Sequence, residues 1–313
     1  MKPVRVSVVQ AAPVLFDKAA TSEKVVELIR QVRQEKSQLA LFPEAFIPAY
    51  PRGFSFGMKI GSRSEPGRLL YERYWNNAIE VPGPETDMLA ETAKEADLFL
   101  SIGVIEREGD FGRGTLFCTQ LYFDPRGNFM GKHRKLKPTG SERLIWGEGD
   151  GSTLPVFNTS IGRIGGLTCW ENYMPLARMA MYGKGVQIYM APTADSRETW
   201  QATVRHIACE GRCFVLGCNQ YVTRDMYPRN LETIEELDDQ PEEICPGGSV
   251  IVSPFGDILA GPVFGSEDIL TADLDFSLIT RGKLDFDVAG HYARPDVFQL
   301  TVNEKGAKPV KFE

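Results

Sequence analysis
The chain has 313 residues, 42% hydrophobic and 25% charged, with 30 Gly and 20 Pro. That is a globular composition, below the Gly and Pro level of low-complexity chains, and no apolar run approaches the roughly 18 residues of a membrane span. A formal charge of −7 argues against a nucleic-acid footprint.

Residues 4–10 (VRVSVVQ) alternate β-branched and polar side chains as a strand does. The opening MKPVRVSVVQ has no signal-peptide layout, so a cytoplasmic location is expected. Over 21–36, Val25, Leu28, Ile29 and Val32 share one helical face, with Thr21 or Ser22 as the cap. QLALF (38–42) reads as a buried strand ending at PEAF, and a long loop rich in Gly, Arg and aromatics follows over 50–67, which suggests function or a lid. A helix within 85–96 and the strand 98–106 continue the alternation. Residues 115–124 and 129–135 form a hairpin turning at Asp124 to Asn128. The Gly-rich stretch 159–169 reads as a strand ending at Cys169. Helices at about 175–183 and 197–211 then alternate with strands at 186–192 and 213–220, and 248–254 with 258–264 make a second hairpin. The net charge is local. Residues 230–244 carry Glu232, Glu235, Glu236, Asp238, Asp239, Glu242 and Glu243 and no Lys or Arg, so these seven acids equal the whole excess. The segment reads as a solvated surface loop or an acidic contact in an assembly interface. Alternating strands and helices with added hairpins and no linker point to one α/β domain of two sheets with helices outside.

Histidine occurs only at 133, 206 and 291, so any Cys-His or Ser-His machinery must use one of those three. Cys169 is the most suggestive position. A thiol at a strand-to-helix turn is exposed, and the following N–H groups lower its pKa and bind a developing anion; a buried structural thiol fits the residue type equally. Glu44, bracketed by Phe42, Pro43 and Phe46 at a strand end, suits a base whose pKa is raised by desolvation, or a solvent-facing strand-end acid. Lys132, Arg134, Lys135 and Lys137 end a strand, followed by Glu142, which makes either a Lys held beside carboxylates or a solvated basic patch. Cys209, Cys213 and Cys218 lack zinc-knuckle spacing and read as core thiols.

In the order Glu, Lys, Cys, the segments FPEAFIPAYPRG (42–53), HRKLKPTGSERLIWGEGDGS (133–152), GLTCWENYMPLAR (166–178), CPGGSVIVSPFGDILAGP (245–262) and FDVAGHYARPDVF (286–298) resemble the nitrilase superfamily, and within it the true nitrilases. The resemblance spans nearly the whole chain. It implies a four-layer αββα sandwich of two mixed sheets with outer helices, a single domain over 1–313, an acidic surface insertion at about 221–245 and a short C-terminal tail at about 299–313. It also implies Cys169 as nucleophile, Glu44 as general base, Lys135 as electrophilic stabiliser and Glu142 as a supporting fourth member, acting on an organic nitrile and water with no metal or other cofactor. Tyr50, Trp146, Trp170, Thr193 and Ala194 are the pocket positions. His133, two residues before Lys135, shares its face in a strand and is placed next to the site. An amidase or carbamoylase using the same residues, or a cyanide-hydrolysing enzyme, is the alternative. Members commonly form homodimers or larger homo-oligomers through the helices at 175–183 and 197–211; no nucleic-acid or membrane partner is implied.

Overall fold
The opening strand β1 (Val4–Gln10) sends Val4, Val6 and Val8 into one apolar core and Val9 into another. A strand buried on both faces belongs to the middle of a layered structure. Across helix α1 (Lys18–Gln34), β2 (Leu39–Leu41) repeats the division, with Leu39 and Leu41 on the first side and Ala40 on the second. The computed structural model describes residues 3–109, 114–307 and 310.

After the two-residue strands β3 (Met58–Lys59) and β4 (Ser62–Arg63) come α2 (Glu65–Asn77), α3 (Pro84–Ala96), β5 (Phe99–Arg107), β6 (Leu116–Phe123) and β7 (Phe129–Arg134). The second half contains β8 (Val156–Thr159), β9 (Gly162–Gly166), α4 (Pro175–Gly183), β10 (Ile188–Pro192), α5 (Glu198–Gly211) and β11 (Phe214–Cys218). It closes with β12 (Tyr221–Thr223), β13 (Glu243–Val252), β14 (Ile258–Phe264), β15 (Asp268–Leu274) and α6 (Ser277–Asp285).

One sheet has the order β15-β1-β2-β5-β6-β7, the other β12-β13-β11-β10-β9-β8 with β14 against β13. β1, β2 and β5 are mutually parallel, as are β9, β10 and β11; the hairpin strands add antiparallel flanks. Val6, Val8 and Leu41 of the first sheet share a core with Ile188, Met190, Phe214 and Leu216 of the second. α1 and α3 cover the outer face of the first sheet, and α4 and α5 that of the second. This is the expected αββα sandwich. Its consequence for the site is that two sets of parallel strands end near one another, where α/β folds place ligand-binding groups.

Several elements differ from their sequence-based expectation. α1 begins at Lys18 with Asp17 as its cap, accepting from Ala20 N–H, while the Thr21 hydroxyl instead bonds the Val14 carbonyl. The loop expected over 50–67 gives way to α2 at Glu65, because Pro66 and Gly67, which read as loop residues, sit in the first turn after the Ser64 cap. The stretch 159–169 stops being strand at Gly166, so Cys169 lies beyond it on a short 3₁₀ turn, Cys169–Tyr173. β15 and α6 had no counterpart in the sequence reading. The acidic segment is neither a free loop nor wholly polar. Leu231 and Leu237 are buried while Glu235, Asp238, Asp239, Glu242 and Glu243 stay exposed. In the C-terminal tail, Val302 packs on the second sheet's helix-side core and Ala307 N–H donates to Asp150; residues 308–309 and 311–313 of that tail lie outside the described residues. Among the described residues no helix is long and apolar enough to cross a membrane.

Candidate active site
Three of the site residues expected from the sequence sit just past strand ends. Glu44 follows β2, Lys135 follows β7 and Cys169 follows β9. The loop carrying Glu44 lies against β5 so closely that a Cβ on Gly103 would stand 2.3 Å from the Pro43 carbonyl oxygen and 2.7 Å from Glu44 Cα. No larger residue at 103 leaves Glu44 where it is. Two non-glycine residues in this region hold left-handed backbone, Ala45 at φ +50° and Cys169 at φ +53°. Such conformations are uncommon for side-chain-bearing residues and concentrate where geometry serves chemistry.

Glu44, Lys135 and Glu142 form one buried cluster. Lys135 Nζ donates to Glu44 Oε1 at 2.6 Å and to Glu142 Oε2 at 2.7 Å. Glu142 is held in turn by the Tyr50 hydroxyl at 2.6 Å and by Thr139 N–H at 2.6 Å. Glu44 Oε1 also accepts from the Cys118 thiol at 3.5 Å, which leaves Glu44 Oε2 buried and without a hydrogen-bond partner. Cys169 Sγ accepts from the Thr193 hydroxyl at 3.2 Å, and the Cys169 carbonyl accepts from the Asn172 amide.

Electrostatics give each group a direction. Burial raises the Glu44 carboxyl pKa, an effect that the Lys135 ammonium opposes without cancelling. Burial, with Glu44 as the next cause, pushes the Cys169 thiol up to about 12. For Lys135 burial works against the charge, but the carboxylates of Glu44 and Glu142 and the nearby thiols outweigh it and hold the pKa well above the ordinary range. The cluster therefore sets a thiol that holds its proton tightly beside an ammonium that does the same and a carboxyl group with one unpaired oxygen.

A cavity of about 220 Å³ opens on this cluster and is lined in part by Tyr50, Arg52, Glu142, Cys169, Trp170 and Ala194. Thr193 lies beneath it on Cys169. Trp146 is elsewhere: it faces an adjoining cavity shared with Tyr50 and Glu142, edge-on to the Tyr50 ring at 5.6 Å. The structure thus gathers Glu44, Lys135, Glu142 and Cys169, sets Tyr50, Trp170 and Ala194 on the cavity, and puts Trp146 one layer back. Sequence reasoning missed Arg52, whose guanidinium bonds the Ala194 carbonyl. Its signal was its place in the YPRG stretch beside Tyr50. It also missed Cys118, which had no signal, since it comes from the middle of β6.

His133 is buried beside the cluster but faces away from the cavity. Its Nε2 meets the Glu171 carboxylate at 2.9 Å and its Nδ1 bonds the Thr153 carbonyl. Glu171 also accepts from Leu136 N–H at 2.5 Å and Thr168 N–H at 2.7 Å. One carboxylate therefore ties the backbone just after Lys135 to the backbone just before Cys169.

Known proteins share this arrangement of chain and fold. The chain is 54% identical to an aliphatic nitrilase of Sinorhizobium fredii (strain HH103), covering 97% of both, and 51% identical to nitrilase 2 of Arabidopsis thaliana, covering 99% of this chain and 91% of that one. The structure of Saccharomyces cerevisiae Nit3, a member of branch 10 of the nitrilase superfamily, superposes with a TM-score of 0.67 at 20% identity, covering 93% of this chain and 97% of that one. An amidase from Nesterenkonia sp. gives a TM-score of 0.67 at 17% identity, covering 91% and 95%; at these identities the likeness concerns the fold. With residues 5–283 matching the carbon-nitrogen hydrolase family and close relatives along nearly its whole length, the chain belongs to the carbon-nitrogen hydrolase family, in its nitrilase branch.

Proposed function
We propose that this protein is a nitrilase that converts an organic nitrile and two waters to the carboxylic acid and ammonia through a covalent Cys169 intermediate. The observation that carries the chemistry is the unpaired Glu44 Oε2 beside a neutral Cys169 thiol, with Lys135 fixed between two carboxylates. Relatives more than half identical over nearly the whole chain carry the choice of nitrile as substrate.

A thiol with a pKa of about 12 needs a base at the moment of attack. Glu44 Oε2 takes the thiol proton as sulfur bonds to the nitrile carbon, and the nitrogen acquires that proton to give a thioimidate. Water adds, ammonia leaves, and a thioester remains. Glu44 then activates a second water, whose attack releases the acid and returns the proton to sulfur. Lys135 Nζ and the Trp170 N–H stabilise the tetrahedral stages, a role worth about 3–4 kcal/mol per donor in measured oxyanion holes. Glu142 touches no reacting atom in this scheme; it holds Lys135 in place.

The deciding experiment compares ammonia and acid released from a nitrile and from the corresponding amide. A nitrilase forms acid directly from the nitrile; release from the amide alone identifies an amidase that uses the same residues. The Glu142 role has its own test. Glu142→Ala removes the contacts to Lys135, Tyr50 and Thr139, and about a 10²-fold lower kcat is expected from a displaced Lys135, with little change in KM. A near-normal kcat in a steady-state assay returns Glu142 to a structural role.

A further inference from the structure
The Tyr50–Arg52 loop forms one wall of the cavity over Cys169, and the acidic segment lies on the back of that wall. Gly53, at φ +91°, presents bare backbone to it: a Cβ there would meet Leu237 Cδ2 at 2.6 Å and Gln240 Cγ at 3.3 Å. Glu236 Oε2 accepts from Ser55 N–H at 2.6 Å. The Tyr227 hydroxyl donates to the Arg52 carbonyl at 3.3 Å, and the Tyr227 ring packs against Phe54 with centroids 5.7 Å apart. Leu231 and Leu237 complete an apolar cluster with Phe56 and Tyr74. The segment is itself held, since Glu232 pairs with Arg73 on α2 at 2.9 Å and Arg224 bonds the Asp238 carbonyl at 3.1 Å.

We infer that the segment over 224–242 is a specificity brace: it fixes the Tyr50–Arg52 wall from behind and so confines the site to nitriles with short aliphatic substituents. Physical size supports this. A cavity of about 220 Å³ is below the roughly 300–1,000 Å³ of drug-sized ligand sites, and the cavity of about 190 Å³ next to it shares Tyr50, Arg52 and Glu142, so the room for a bulky substituent depends on where the Tyr50–Arg52 wall stands. On the cavity side the wall is held by the Tyr50 hydroxyl on Glu142 and by the Arg52 guanidinium on the Ala194 carbonyl. Neither contact reaches Gly53 to Ser55, where Leu237, Gln240 and Glu236 of the brace bear on the loop backbone. The charge pattern follows the same division, with Glu236 turned to the loop and five acids turned to water. The brace acts through the loop and touches no substrate, so its residues are positioning residues.

The inference rests on the nitrilase reading for the substrate used to test it, and the experiment separates the two. Purified full-length wild type, Leu237→Ala and Glu236→Ala are assayed with a three-carbon aliphatic nitrile and with 3-phenylpropionitrile, kcat and KM being measured separately. Both variants are expected to raise kcat/KM for the phenyl-bearing nitrile at least fivefold relative to the short one, mainly through a lower KM for the bulky substrate. A ratio within twofold of wild type in both variants overturns the brace, as does a parallel loss on both substrates. If Leu237→Ala fails to fold, Glu236→Ala, which removes the acceptor for Ser55 N–H at the half-buried loop contact, decides alone. If wild type hydrolyses amides but not nitriles, the nitrilase reading fails, and the same comparison with a short and a phenyl-bearing amide still tests the brace.

Discussion

With Cys169 changed to Ala, ammonia release from a nitrile is expected to fall by at least about 10⁴-fold while the protein keeps its fold. The loss is large because the thiol is the atom to which the substrate becomes bonded, and no neighbour replaces it. Cys118 is the other thiol at the cluster, but its sulfur is turned to Glu44 Oε1 and it does not line the cavity that opens on Cys169. The fold should survive for a local reason. The substitution removes one sulfur and the Thr193 contact, and Ala45 shows that alanine already holds the same left-handed backbone in this protein at φ +50°. Activity above one part in a hundred of wild type, with a normal circular dichroism melt, would sink the assignment of the nucleophile.

Lys135→Met should cost activity and stability together. The ammonium is the cation between the buried carboxylates of Glu44 and Glu142, and its loss leaves both of them without it in low dielectric. Breaking buried pairs in this way destabilises proteins by about 3–5 kcal/mol, and removing an electrophilic donor lowers kcat by about 10²- to 10³-fold. Glu44→Gln separates the two effects. Because burial raises the Glu44 pKa, the folded state binds this proton more tightly than the unfolded chain. The group therefore favours the fold below its unfolded pKa, and that contribution is lost as pH rises through the folded value. Burial disfavours the ionised carboxylate, and Gln still offers an oxygen to Lys135. Glu44→Gln is thus expected to lower kcat by about 10²- to 10⁴-fold while leaving Tm at pH 8 unchanged or higher. Equal drops in Tm for the two variants, read by thermal melts at pH 8, would contradict this account of the cluster.

The proposed site uses no histidine, so three scattered histidines are no obstacle to it. It also gives His133 a place. Tied to Glu171, whose carboxylate holds both Leu136 N–H and Thr168 N–H, it belongs to the scaffold joining the Lys135 and Cys169 segments. The pair is buried where a misplaced backbone would move Lys135 relative to sulfur, and small displacements of this kind are costly in enzymes.

What the sequence by itself determined was the order of strands and helices in the sandwich and, through its resemblance to the nitrilases, the family. Period-2 alternation in VRVSVVQ and the apolar face Val25, Leu28, Ile29, Val32 are local properties, legible without the rest of the chain. The places of Glu44, Lys135 and Cys169 past strand ends were legible for the same reason, whereas their proposed roles came from the family resemblance, because each residue taken locally also fits a structural role. Helix α2 was hidden because Pro66 and Gly67 resemble loop residues until the Ser64 cap and the buried Leu70 and Tyr74 are seen. Tertiary structure decided the rest. Which oxygen of Glu44 stays unpaired depends on Cys118 and Lys135 arriving from β6 and from the end of β7, residues 74 and 91 positions away. The acidic segment shows the limit most plainly. Its charge of seven acids against no base is a fact of sequence, and it reads as a solvated loop or an acidic contact in an assembly interface. Only packing reveals that Leu231 and Leu237 turn into an apolar cluster and that Leu237 and Glu236 meet the loop at Gly53 and Ser55, because burial is a relation between segments that no local pattern contains.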